Sequence, residues 1–262
     1  MAFAIASRKA ASSVVCAAAK KTKIAAAALL SANNALPAIE RLIKAGAQIA
    51  RAMPAAVSID TFLHSREPTL KEWAVAIAAL GSGDQTVLFR KGGIREPCFK
   101  PSAREFLLFP TAFHSEQQLL KEGVAERYEE AFALDPRANP TLPLTVHATI
   151  TGAWTTFDLR VLQILDPLHV HSEAFRETRL KWRGAQPITI LELRALRLEP
   201  QLVLNLREEH FGCFSWVDLA SDLSLPLALE SATSALDDAA FSQRQHILRE
   251  LLLQVEVTEL HF

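Results

Sequence analysis

The sequence predicts an α+β fold: a single mixed-sheet domain with about four helices, preceded by a flexible N-terminal presequence. Three observations carry this reading. Period-2 and period-3.6 apolar patterns follow one another in mixed order, without the regular β–α alternation of a doubly wound sheet. At 262 residues, 50% hydrophobic and 22% charged, the chain can bury one sizeable core and is far from disordered, collagen-like or disulfide-scaffold compositions. Finally, the near-neutral formal charge of −1 hides a split. Residues 1–59 carry eight Lys or Arg and a single acid, Glu40, whereas residues 60–262 carry the other 20 basic and 28 acidic residues.

Residues 1–59 are Ala-rich, basic and acid-poor, with scattered Ser and Thr, which is the composition of an organelle transit peptide. A secretory segment would hold a continuous apolar block, but here the run Ile24 to Leu30 is broken by Ser31, Asn33 and Asn34. Leu36, Ile39, Leu42, Ile43 and Ile49 have helical spacing, so an N-terminal helical extension stays open as the second reading. No uncharged apolar run reaches the roughly 20 residues that span a bilayer.

Residues 60–262 read as one domain. Pro68 to Glu72 predicts a helix start, with Thr69 as cap and Glu72 completing a capping box. Trp73, Ala76, Ile77 and Leu80 share its face, and Gly81-Ser82-Gly83-Asp84 stops it. Thr86 to Arg90 predicts a strand, Lys91-Gly92-Gly93 a turn, and Phe106 to Phe109 a second strand ended by Pro110. A helix capped by Ser115 is expected to bury Leu119, Leu120, Val124, Tyr128, Ala131 and Phe132. In the strand Leu144–Phe157, Val146, Ala148 and Ile150 alternate with polar neighbours. Val161 to Leu165 predicts another strand, Ser172 to Arg183 a basic helix, and Ile188 to Leu198 a strand continued by Val203-Leu204. A last helix, about 234–255, is capped by Ser234, with Asp237 and Asp238 in its first turn and an apolar stripe of Leu236, Ala240, Ile247, Leu251, Leu252 and Val255.

Most chemical motifs are absent: there is no phosphate-binding P-loop, dinucleotide fingerprint, nucleophile elbow or zinc spacing. His169 and His171 would share a side of a strand, but two ligands do not make a metal site, so no metal is expected and no cofactor is indicated. The segment 90–104 is more informative. Arg90, Lys91, Arg95, Lys100 and Arg104 surround Gly92 and Gly93, and a glycine turn flanked by cations can hold a phosphate. Arg176, Arg179, Lys181 and Arg183 beside Trp182 form a second basic cluster. Aromatic rings with arginine suit single-stranded nucleic acid, while the acidic body opposes extended duplex binding. The bland reading of both clusters is a solvated face with local ion pairs. Asp158 or Asp166, followed by Glu192-Leu193-Arg194 on a strand, matches the order of a Mg²⁺-dependent restriction-type nuclease, with Arg194 in the usual lysine position. That Arg keeps its proton and is a poor base.

Lys71 to Val75, Thr86 to Ile94, Phe106 to Thr111 with Phe113-His114, and Gly212 to Val217 together resemble an uncharacterised family of cyanobacteria, other bacteria and photosynthetic eukaryotes: domain-of-unknown-function family 1802. The resemblance covers about 69–220 and implies a plastid location for the chain, with the mitochondrion as alternative. It also implies a link to restriction systems, because some relatives carry a restriction-endonuclease-like domain. It brings no catalytic residues. The ligand-binding expectation therefore rests on Arg90, Lys91, Gly92, Gly93, Lys100, Arg104 and His114. The catalytic alternative rests on Asp158, Glu192 and Arg194. A third reading is a non-enzymatic assembly factor that offers the apolar C-terminal helix to a protein partner.

Overall fold

A computed structural model describes residues 67–92, 98–112, 116–181, 184–219 and 225–261, all within one compact unit. The expected presequence, Gly93, Arg95, His114, Ser115, Trp182 and Arg183 lie outside the described residues, as do the side chains of residues 179–181. The chain runs β1 (Glu67–Trp73), α1 (Ala74–Ser82), β2 (Val87–Arg90), β3 (Glu105–Thr111), α2 (Val124–Arg127), α3 (Glu129–Phe132) and β4 (Thr141–Thr156). It continues through α4 (Val161–Ile164), α5 (Glu173–Lys181), β5 (Ile188–Asn205), β6 (Trp216–Leu219), α6 (Leu225–Glu230), β7 (Thr233–Ser234), α7 (Asp238–Leu252) and β8 (Thr258–Glu259). The fold is α+β, with one mixed sheet in the order β2-β5-β4-β3-β1-β6. Among the described residues only β1 and β3 run parallel; β7 pairs with β5 and β8 with β4.

The long antiparallel pair β4 and β5 is the backbone of the sheet. Its alternation sends Leu191, Leu193 and Ala195 to one side, where they pack with Leu70, Leu88, Phe106, Val146, Ala148 and the apolar α1. Ile188 and Ile190 face the other side, against Val87, Phe89, Trp154, α4 and the α7 residues Leu248 and Leu252. A third cluster joins Leu107, Phe109, Leu142, Leu144, Leu198 and Val217 to α6. The ends of the strand path meet. Arg90, at the end of β2, donates from Nη1 to Lys71 O at 3.1 Å and to Glu72 Oε2 at 2.7 Å. Its Nη2 donates to Ser215 Oγ at 3.0 Å, just before β6. The sheet is therefore curled until one guanidinium spans from its first strand to its last two. Phe99 lies between them, stacked on Trp216 and bonded through its carbonyl to Thr189 of β5.

Several local expectations are corrected. Residues 67–73 form a strand, not a helix start, because pairing with β3 and β6 outweighs the capping signature. Thr69 Oγ1 donates to Glu67 O, and Glu72 accepts from the Trp73 N–H and from Arg90 instead of capping α1. The stop is as expected: Gly83 ends α1 in the left-handed region at φ 81. The single helix expected after Ser115 is a 3₁₀ turn followed by α2 and α3, interrupted at Gly123, where φ is 77. Val161–Ile164 is helical. Asp237, not Ser234, caps α7, accepting from the Ala240 N–H at 2.8 Å. The apolar stripe of that helix closes this chain's own second core, so it is not the free docking face that the assembly reading required.

Candidate functional site

The most unusual charge in the domain lies on β1. The pleat turns Leu70 into the first core and Lys71 to the opposite face, beside its cross-strand partner Phe109. The Lys71 N–H donates to Ser215 O at 2.8 Å, tying β1 to the loop before β6. That loop covers the side chain, which is only 9% exposed. Its Nζ donates to Gly212 O at 3.2 Å and sits 3.7 Å from the Phe214 ring centroid and 5.6 Å from that of Phe109. Gly212 has φ 139, and a Cβ there would meet the Phe214 ring at 2.5 Å, so both backbone and packing demand glycine.

Arg137, exposed in the turn after α3, stands over Phe211 with its guanidinium carbon 4.3 Å from the ring centroid. Among the described residues no carboxylate lies within 4 Å of Lys71 Nζ or of the Arg137 guanidinium. Burial pushes Lys71 down to about 8; nearby Cys213 opposes this, and the Arg137 charge adds to it. His210 belongs to the same cluster. Its Nδ1 accepts from the Arg207 N–H at 3.1 Å, and burial foremost holds it below the usual histidine range, with Glu209 opposing and the Arg207 and Lys71 charges reinforcing. Two uncompensated cations and the rings of Phe211 and Phe214 thus share one loop surface. Such a set can hold an anion while offering an aromatic face to a flat ligand.

The residues expected from the sequence are placed differently. Arg90 pairs with Glu72 at 2.7 Å and clasps the ends of the sheet together. Lys91 and Gly92 are buried, and neither is without a partner. Lys100 is exposed, and Arg104 is exposed with its Nε donating to Ile150 O at 3.4 Å. Arg90 and Arg104 are thus tied to different strands. Arg176 of the second cluster bonds Glu173 at 3.1 Å and Asp166 at 3.8 Å.

The nuclease arrangement does not assemble. Glu192 is 1% exposed and saturated: Arg249 grips both carboxylate oxygens at 2.6 and 3.0 Å, Gln245 donates at 3.0 Å and Thr151 at 2.6 Å. Arg194 pairs with Asp238 across to α7. Asp158 is held by Arg160, whose hydrogen bonds keep its carboxyl below the usual range. It lies beyond the Thr156–Ile188 end of the β4–β5 ladder, an end that is itself roughly 13 Å along β5 from Glu192 at a strand rise of about 3.3 Å per residue. Among the described residues no group of three or more His, Cys, Asp or Glu side chains could hold a metal ion.

His169 and His171 do not form a metal pair. His169 Nδ1 accepts from the His171 N–H at 3.1 Å, which leaves Nε2–H to donate to Leu162 O at 3.0 Å. Burial pushes His169 down to about 4, against the Leu162 bond and the nearby Asp166 charge. Between pH 6.5 and 4 the unfolded chain takes up a proton here that the folded chain refuses, so stability falls as pH drops through that window. Urea unfolding at pH 7.5 and pH 4 should differ by about 3 kcal/mol from this group, and His169→Gln should flatten that part of the profile.

Fold and site together define a small mixed-sheet α+β domain with a cationic, aromatic-lined loop face. More specifically, the chain belongs to the family described as Domain of unknown function (DUF1802), whose model matches residues 69–246. No curated protein matches the chain with significance. Among solved structures, the ASCH protein from Zymomonas mobilis is similar at 15% identity and a TM-score of 0.37, covering 64% of this chain and 96% of that one. Crystal structures of two point mutants of the same protein give 15% and 16% identity with TM-scores of 0.38 and 0.37. No helix among the described residues is long and apolar enough to cross a membrane.

Proposed function

We propose that this domain binds a phosphate-bearing ligand, with single-stranded nucleic acid as the form best suited to its aromatic faces. The observation that carries the reading is the pair Lys71 and Arg137, adjacent cations without a carboxylate partner among the described residues, beside Phe211 and Phe214. A phosphate would supply the missing counter-charge, and a base would find the half-exposed ring of Phe214. This pair is preferred to the expected glycine loop because Arg90 of that loop already pairs with Glu72. The excess of acids over bases in residues 60–262 favours a short, flexible ligand over extended duplex.

Fluorescence anisotropy with a labelled oligothymidylate tests the reading. Arg137→Ala and Phe214→Ala alter exposed side chains and should each weaken binding about tenfold, with Arg137→Ala also lowering the salt slope by about one. Equal binding by both variants would remove this face from the function. We further propose that the basic head, residues 1–59, delivers the domain to the plastid. Its composition supports this, and a fluorescent fusion to the head should accumulate in chloroplasts and not in mitochondria or cytosol.

A further inference from the structure

We propose that Lys71 is a carbonyl-capturing amine whose substrate is the aldehyde of an abasic site in single-stranded nucleic acid. This rests on the binding reading above and adds a covalent step to the same site. The surroundings of Lys71 are those that make an amine reactive. It is almost fully buried, it has one carbonyl acceptor for its three donors, and no carboxylate among the described residues holds it as an ammonium ion. A second cation, Arg137, is near enough to disfavour its charge. Desolvation beside another cation is the general means by which a lysine becomes a nucleophile near neutral pH.

The covering layer supplies the trigger. Phe214 is 42% exposed and lies directly over Nζ, while Gly212 and Cys213 beside it are exposed. A base flanking the reacting position that stacks on the Phe214 ring and draws it off Nζ removes the nearest aromatic stabilisation of the ammonium ion and opens the amine to the ligand. Arg137 lies on the same loop surface to hold the adjoining phosphate.

An abasic site fits this arrangement because it joins an aldehyde carbon to flanking phosphates and lacks the base that would block approach. The step balances without a further reactant. The neutral Lys71 nitrogen attacks the open-chain C1′ aldehyde and forms a C–N bond. The two hydrogens lost from nitrogen and the aldehyde oxygen leave as one water, and an imine remains. The ammonium form first gives its proton to solvent once the Phe214 ring has moved aside, so no further base is required.

The test incubates the full chain with a single-stranded oligonucleotide carrying one abasic site, adds sodium cyanoborohydride, and maps the adduct by peptide mass spectrometry. The intact oligonucleotide is titrated in parallel by anisotropy. At pH 7.5 adduct at Lys71 should form at least about tenfold faster than at a fully hydrated lysine side chain, because far more of its amine is neutral. Lys71→Arg should lose that adduct, and Arg137→Ala should slow trapping by weakening binding. Binding of the intact strand with no adduct at Lys71, or adduct spread evenly over surface lysines, would overturn the capture step and leave the binding reading standing. Absence of binding to the intact strand would instead remove the binding reading, and with it the ground for this one. Should Lys71→Arg fail to fold, the mapped position of the wild-type adduct decides.

Discussion

Replacing Glu192 with glutamine should cost the fold about 3 kcal/mol, read as a lowered urea midpoint at unchanged slope. The carboxylate is buried between β5 and α7, and it anchors Arg249 and Gln245 of the helix as well as Thr151 of β4. Glutamine keeps the shape but replaces one anionic oxygen with a donor that faces the Arg249 guanidinium. The partner change, Arg249→Ala, strands a buried carboxylate and uncovers the Trp154 ring, which lies 4.7 Å from the guanidinium carbon. It should cost at least as much. The double variant should recover part of the loss, since two residues of one network are not additive. A catalytic Glu192 would behave in the opposite way, with stability near wild type. Because α7 also contributes Phe241, Leu248 and Leu252 to the interior, removing residues 234–262 should unfold the domain instead of merely releasing a partner.

Arg90→Ala should cost about 3–5 kcal/mol. It deletes three hydrogen bonds that hold β2 to β1 and to the loop before β6, and it leaves Glu72 unpaired in a site where its side chain is 11% exposed. The cation also lies 5.2 Å from the Phe99 ring centroid, so packing is lost with the charge. Arg90→Lys should recover less than half of the loss, because one ammonium cannot replace a planar fork that reaches three acceptors on two elements. Hydrogen exchange should locate the damage at β1, β2 and β6, with β4 and β5 protected longest.

Much of this was legible in the sequence, and the failures have a common cause. β4 and β5 announce themselves by alternation over many residues, and α1 stops at Gly83 because only glycine accepts that conformation cheaply. By contrast, Pro68 to Glu72 carries a sound local helix-start signal that is outweighed by two strand partners, β3 and β6, distant in sequence. Val161 to Leu165 is a short apolar run of the kind whose periodicity cannot separate strand from buried helix. The candidate site fared similarly. A cluster of cations at 90–104 is visible in one dimension, but whether each is free depends on Glu72 and on Ile150, which no local pattern reveals. Lys71 opens one of the segments that carry the family resemblance, but nothing in that segment marks a buried cation, and Arg137 is one residue of an Asp-Pro-Arg turn. Only the curled sheet brings them to the loop 211–215. The one local hint was Phe211-Gly212-Cys213-Phe214, two aromatic residues around a glycine in a polar loop.

The most direct test of where the ligand binds is a crystal structure of the domain soaked with a short oligothymidylate. A phosphate is expected between the Lys71 Nζ and the Arg137 guanidinium, with a thymine ring against Phe214. Density confined to the Lys100 and Arg104 surface, with the Phe211–Ser215 loop unchanged and Lys71 still bonded only to Gly212, would contradict it.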